Sequence, residues 1–258
     1  MSEQPAASSG VVLVTGGTGT LGRHLVPRLQ SAGLTVRVLS RHEPESTGGV
    51  EHVAADLLKD EGVERAVSGA DTVVHLAGGP KGDDVATTNL VRAAETARVR
   101  HLVTISVIGA DTVPLGYFRA KHGAEQAIEK SQLAWTTLRA AQFHDLTLGV
   151  VRTMGKLPVV PAPGGVRWQP VDSRDVAERL TELTLAAPAG RVADLAGPTV
   201  YSLAELTRTY LRSCGKRRPF LPVRVPGKMG RAYRSGENLT LDGADLGKRT
   251  WEDFLAER

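Results

Sequence analysis

Short, continuous apolar runs alternate with helix-spaced apolar positions along the first 140 residues. "VVLVT", 11–15, is β-branched and apolar throughout, the pattern of a strand buried on both faces in a parallel sheet. After "GGTGTLG", 16–22, the positions Leu21, Leu25, Val26 and Leu29 recur at helical spacing, and Gly33 is a plausible stop. "TVRVLS", 35–40, "VEHVAADL", 50–57, "DTVVHLA", 71–77, "HLVTISVIG", 101–109, and "AWTTLRA", 134–140, read as further strands. Between them, 60–70, 84–99 and 116–133 read as helices, the second from Val85, Leu90, Ala93, Ala94 and Ala97. Such β–α alternation predicts an α/β fold, a doubly wound parallel sheet with a small C-terminal lobe.

The rhythm loosens after about residue 145, where prolines cluster at 158, 161, 163 and 170. Helices are expected over 173–188, with Asp175 in the first turn, over 202–215, where Ser202 and Glu205 have capping-box spacing, and over 252–257. Prolines 219, 222 and 226 should break any helix in their neighbourhood. The expected organisation is a disordered start at 1–9, a dinucleotide-binding domain at 10–145, and a smaller substrate-binding portion at 146–258, partly interleaved with it.

Composition narrows this little. Of 258 residues, 41% are hydrophobic and 23% charged, which are globular values, and the net charge is +4. One cysteine, Cys214, cannot form an internal disulfide, and no CxxC or HExxH occurs, so no metal site is expected. No apolar stretch approaches the roughly 20 residues of a membrane span. The expectation is a soluble cytoplasmic protein, monomer or homodimer, with no membrane or nucleic-acid partner. Between Glu205 and Glu237 there are nine Arg or Lys and no acid, but few aromatics. A solvated face fits this better than a nucleic-acid site.

Gly16, Gly19 and Gly22 stand at G-x-x-G-x-x-G spacing between a strand and a helix. A turn of this kind lets backbone approach a pyrophosphate at a helix N-terminus, so Thr18, Thr20 and Leu21 are also candidate cofactor contacts. An acid at the end of the second strand would bind a ribose 2′-hydroxyl. The chain has Ser40 and Arg41 there, with Glu43 the nearest acid. Arginine suits a 2′-phosphate, so the expected cofactor is NADP(H) rather than NAD(H). Asp56 and Leu57, and Ala77, Gly78 and Gly79, end the third and fourth strands, where ligands bind in open α/β sheets. Asp56 can serve an adenine edge or a local turn.

"TGGTGTLG", "AADL", "HLAGG" and "YFRAK", in that order, resemble the short-chain dehydrogenase/reductase superfamily in its extended and atypical branches. "AWTTLRAAQFHD" and "PVDSRDVAE" resemble its NmrA-like group. The resemblance spans about residues 11–200 and implies a Rossmann fold, a nicotinamide cofactor and carbonyl or alcohol redox chemistry. Tyr117 and Lys121 are i and i+4 on a helix, so both leave one face, where an ammonium favours the phenolate. The resemblance implies that Tyr117 is the proton donor, that Ser106 polarises the substrate oxygen, and that Lys121 also holds the nicotinamide ribose. It places Ala141, Gln142 and Phe143 along the nicotinamide. The implied function is an NADPH-dependent reductase of a small carbonyl or quinone-like, possibly polycyclic aromatic, substrate. The alternative is an NADP-binding sensor of the NmrA-like type, which turns nothing over and need not keep the Tyr–Lys pair. A nucleotide-sugar epimerase is disfavoured, since only about 110 residues remain for its substrate lobe.

Overall fold

The computed structural model describes residues 10–41, 48–79 and 81–258. The start at 1–9 and Glu43 lie outside the described residues. In chain order the elements begin with β1 (Val11–Thr15), α1 (Gly22–Ser31), β2 (Thr35–Ser40), β3 (Glu51–Ala54), α2 (Val63–Val67), β4 (Thr72–His75) and α3 (Asp83–Thr96). There follow β5 (His101–Val107), α4 (Gly116–Glu129), β6 (Trp135–Ala140), α5 (His144–Met154), β7 (Val160–Pro163), β8 (Arg167–Trp168) and α6 (Ser173–Leu185). The rest is β9 (Gly190–Arg191), β10 (Leu195–Ala196), β11 (Tyr201–Ser202), α7 (Leu203–Ser213), β12 (Phe220–Val223), α8 (Gly227–Ser235), β13 (Asp245–Leu246) and α9 (Trp251–Ala256).

Two compact units share the chain. One holds residues 1–105, 123–137 and 177–191, and the other 106–122, 138–176 and 192–258. Each unit is thus built from three separate segments of the chain.

In the first unit the strands run in the order β3-β2-β1-β4-β5-β6, with β9 also beside β6. The pairings are parallel: Val12 lies opposite Val36 on one side and Thr72 on the other. This is the doubly wound arrangement, and the order reverses between β1 and β4. Both faces of β1 are covered, and Leu13 and Val14 are fully buried. Leu13 joins Leu39, Val63, Val73, Leu90, Leu102 and Ile128 in one core. On α1, Leu25, Val26 and Leu29 are buried as their spacing predicts. On α3 the expectation fails at Val85, which is exposed. Asp83 and Thr87 take the buried stripe with Leu90 and Val91, because both have hydrogen-bond partners there. His101 is buried against the Thr136 hydroxyl at 2.8 Å, and burial pushes its imidazole pKa down.

In the second unit, β10 pairs with the end of β6 through Leu195 and Ala140, and β13 pairs with β10. Two small ribbons accompany them, β11 with β8 and β12 with β7. The core is Leu148, Val151, Leu203, Leu206, Trp251, Phe254 and Leu255. Ser202 and Glu205 form the expected capping box on α7, and Thr250 and Asp253 form a second one on α9. The prolines do not exclude helix from 219–235. Pro226 caps α8, a position where its missing N–H costs nothing.

The first turn of α6 holds the C-terminal segment. Asp172 receives a two-pronged grip from Arg174 at 2.8 and 2.9 Å, and Arg174 also reaches Glu257 at 2.6 Å. Asp175 accepts from the backbone of Lys248 and Arg249 and pairs with the Arg249 guanidinium. Burial alone would raise the pKa of Asp172, but the Arg174 bonds outweigh it and hold the carboxyl far below the ordinary carboxylate range.

Candidate functional site

In the first unit the site begins where β1 stops. Gly16 has φ +70°, and a Cβ there would lie 2.8 Å from the Ala77 nitrogen, against backbone that cannot yield. Only glycine lets the ends of β1 and β4 come this close. Thr15 locks the same ends: its hydroxyl lies 2.7 Å from His75 Nδ1 and accepts from the Ala77 nitrogen at 3.1 Å. His75 Nε2 continues to the Thr87 hydroxyl at 3.0 Å. This buried chain was not visible in the sequence, where His75 looked like any scattered histidine.

The other glycines divide their roles. Gly22 and Gly17 are packing positions: a Cβ on Gly22 would enter the Gly17 carbonyl, and one on Gly17 would meet the Val38 methyls at 2.8 Å. Gly19 is different. It is exposed, and a Cβ on it would meet only the Gly16 carbonyl oxygen, at 3.2 Å. Thr18 is exposed beside it, Thr20 is half-buried, and Leu21 is buried at the cap of α1. The first turn of α1 carries no acid, so nothing there opposes an anion at the helix start.

Beyond β4, Gly78 is exposed, and the Gly79 nitrogen donates to Asp83 Oδ1 at 2.6 Å, tying the loop to the start of α3. At the ends of β2 and β3 lies a groove of about 610 Å³ lined by Arg41, Ala54, Ala55, Asp56, Lys59, Glu61, Gly62 and Arg65. Ser40, half-buried, closes β2 beside it. Arg41 thus shares the groove with two cations that the sequence reading did not single out, Lys59 and Arg65. Asp56 lines the groove, and its carboxylate also accepts from the nitrogens of Leu58 and Lys59, so the turn-forming role is real. The Leu57 side chain fills the core, which leaves only its backbone for a ligand.

The second unit holds the remaining candidates. Ser106 lies near the carboxyl end of β5, buried, with no hydrogen-bond partner for its hydroxyl among the described residues. The start of α4 is anchored by Phe118, which packs with Val107, Ala110 and Val113. Tyr117, one residue earlier, is turned outward and is 40% exposed, its ring edge-on to Phe118 at 5.5 Å. Lys121 lies about 40° around the helix from Tyr117 and about 60° from Phe118, and it is 9% exposed. The helix therefore presents a solvent-facing phenol one turn from a buried ammonium.

Past β6, Ala141 donates its nitrogen to Leu195, and Gln142 is buried with both side-chain amide atoms unpartnered among the described residues. Phe143 is half-buried at the cap of α5 and bridges to Val171. Asn238 is fully buried; its amide nitrogen donates to the Arg167 carbonyl at 2.8 Å, and its oxygen has no partner. Buried amides left unsatisfied are costly, and a ligand able to donate and accept would relieve them. Asn238 stands outside any motif, and no local pattern marks it. Among the described residues no cluster of three or more His, Cys, Asp or Glu could hold a metal ion. No helix among them is long and apolar enough to cross a membrane.

In the first unit a nucleotide fits the turn where Gly19 leaves the backbone open, the unopposed start of α1, and a groove of three cations and two acids at the ends of β2 and β3. The second unit holds buried polar groups at Ser106, Gln142 and Asn238 that a ligand could satisfy. Comparison with known proteins agrees. A family described as NAD(P)H-binding matches residues 16–185. The chain is 32% identical over 222 residues to (4-alkanoyl-5-oxo-2,5-dihydrofuran-3-yl)methyl phosphate reductase of Streptomyces griseus subsp. griseus, covering 80% of this chain and 74% of that protein. It is 28% identical over 246 residues to NAD(P)H azoreductase of Xenophilus azovorans, covering 91% and 84%. In fold it resembles the NADPH-dependent quinone oxidoreductase of Escherichia coli complexed with NADPH, with a TM-score of 0.82 at 18% identity over 95% of this chain and 99% of that one.

Proposed function

The chain belongs to the NAD(P)H-binding family and is an NAD(P)H-dependent oxidoreductase; we propose that it is an atypical, NmrA-like short-chain dehydrogenase/reductase that uses NADPH to reduce a small carbonyl or quinone-like compound. The observation that carries the catalytic reading lies in the second unit. A buried, unpartnered hydroxyl at Ser106 accompanies an exposed phenol at Tyr117 and a buried ammonium at Lys121.

Nicotinamide, when bound, supplies the hydride. Gly16 and Gly19 admit the pyrophosphate to the backbone, and the start of α1 meets its charge. Arg41, Lys59 and Arg65 neutralise the 2′-phosphate and outnumber the two acids of the groove, Asp56 and Glu61, the first of which is turned to the Leu58 and Lys59 nitrogens. The Ser106 hydroxyl donates to the acceptor oxygen and stabilises the negative charge that develops on it. Tyr117 gives its proton to that oxygen, and the Lys121 ammonium favours the phenolate left behind. The Gln142 amide orients the bound ring system by satisfying its own two buried atoms.

The named relatives act on a phosphorylated furanone and on azo compounds, so the acceptor panel should include acyl-dihydrofuranone phosphates and azo dyes beside ketones and quinones. The test is NADPH oxidation across that panel, with NADPH and NADH affinities measured in parallel. Turnover with at least one acceptor, and tighter binding of NADPH than NADH, is expected. Tight NADPH binding with no turnover across the panel would defeat the reductase reading, and equal cofactor affinities would defeat the NADPH assignment alone.

A further inference from the structure

Charge in this chain is unevenly placed. Residues 146–171 and 206–236 contain 12 Arg or Lys and no Asp or Glu, while the rest of the chain has 20 against 28. A net charge of +4 therefore divides into +12 on these two segments and −8 elsewhere.

The fold brings the two segments together in the second unit. The end of α5 packs on the end of α7 around Gly155, where an added Cβ would meet Leu211 at 3.2 Å and Tyr210 at 3.4 Å. The loops that follow run into paired strands: the Val160 nitrogen donates to the Pro219 carbonyl at 2.9 Å, and β12 lies parallel to β7. Every residue of 156–159 and of 212–219 is exposed. This tip presents Lys156, Arg212, Lys216, Arg217 and Arg218 around Leu157 (44% exposed), Val159 (44%) and Leu221 (57%). Branched aliphatic side chains set in a ring of cations are costly to leave in water and match a surface that is apolar below and anionic above.

We infer that this tip is a docking surface for an anionic lipid bilayer, with Leu157, Val159 and Leu221 entering between headgroups and the cations resting on them. The expected absence of a membrane partner rests on the lack of a spanning segment, and a peripheral contact needs none. Nucleic acid would offer the same charge, but its single strands want exposed aromatic platforms. Here Phe220 is half-buried, and its ring carries the Arg208 guanidinium at 4.7 Å. The inference is independent of the catalytic reading, since none of these residues belongs to the candidate site.

The test is co-sedimentation of the full chain with phosphatidylcholine vesicles, with or without about 30% phosphatidylglycerol, at low salt and at about 0.5 M salt. Binding to the anionic vesicles alone, lost at high salt, is expected. Arg217→Glu with Arg218→Glu should weaken it at least about 10-fold. The triple variant Leu157→Ser, Val159→Ser, Leu221→Ser should weaken it about 10-fold with NADPH affinity and melting temperature unchanged. Equal binding to neutral and anionic vesicles, no binding at low salt, or a triple variant that binds like the parent would each overturn the proposal. So would retention of duplex DNA in a gel shift without any vesicle binding, which would mark the tip as a nucleic-acid site.

Discussion

Gly19→Ala separates a glycine kept for a ligand from glycines kept for packing. Gly19 does not occupy the left-handed region, and an added methyl would meet one atom, the Gly16 oxygen at 3.2 Å. Removing backbone freedom from the unfolded chain stabilises by about 0.4–1 kcal/mol, and the tight contact offsets part of that. Stability should therefore change by less than about 1 kcal/mol, or roughly 2–4 °C in melting temperature for a chain of this size. The exposed methyl would stand where a pyrophosphate must approach the backbone. Losing one charge-assisted hydrogen bond there costs about 1.5–3 kcal/mol, which is about a 10- to 150-fold rise in the NADPH Kd. Gly16→Ala is the control. Its φ of +70° costs about 1–2 kcal/mol for a side chain, and overpacking against Ala77 adds about 1–3 kcal/mol, so this variant should melt far lower. Thermal melts and NADPH fluorescence titrations read both effects. A Gly19→Ala protein that melts like the parent and binds NADPH with the parent's Kd would refute the cradle.

Tyr117→Phe should keep NADPH affinity and lower turnover about 10²-fold, measured as NADPH oxidation on any acceptor found; near-normal turnover would mean that water or the substrate supplies the proton. Arg41→Ala should weaken NADPH binding by about 1–3 kcal/mol and leave NADH binding almost unchanged by the same titration; equal losses would remove Arg41 from the 2′-phosphate site. Asp172 should show in the acid limb of stability. Its folded pKa is depressed below the ordinary 3.8, so its stabilisation is present above that value and lost as pH falls through the folded one. Melting temperature should then drop below about pH 4 in the parent, whereas Asp172→Asn should start about 3 kcal/mol less stable and show a shallower acid limb. An unchanged acid limb in Asp172→Asn would show that other carboxylates govern it.

The elements that sequence patterning located best are those whose pattern is local and apolar. β1 and β2 fall where their β-branched runs fall, and α1 buries its four-residue stripe. α5, although it spans 11 residues, has no apolar pattern that marks it. Its buried stripe is His144, Thr147, Leu148 and Val151, the right spacing with half the positions polar. Those polar groups find partners inside: His144 Nε2 reaches the Pro170 carbonyl at 3.1 Å, and the Thr147 hydroxyl donates to the Phe143 carbonyl. Hydrophobicity cannot register a position filled by an internally bonded polar residue. Val85 is the converse, an apolar residue on the exposed side because Asp83 and Thr87 have partners within. β10 and β13 are two residues each, too short to carry a period at all.

The candidate site divides along the same line. Glycines that the backbone demands, and a Tyr–Lys pair at one helical turn, are local requirements and can be read from spacing. Lys59, Arg65 and Asn238 have no such signature. The cations reach the Arg41 groove because the turn after β3 and the start of α2 return to the end of β2. Asn238 is placed by contacts with residues far back in the chain: its own amide bonds Arg167, and the Glu237 carbonyl accepts from the Thr112 hydroxyl at 3.2 Å. At Gly109, φ is +86° and an added Cβ would come within 2.5 Å of that same carbonyl, so the loop after β5 is shaped to receive residue 237. A residue fixed by distant parts of the chain answers to the fold, which is not written in its sequence neighbours. On the proposed function, substrate choice would rest on such residues, which is why the cofactor was legible in this chain before its acceptor.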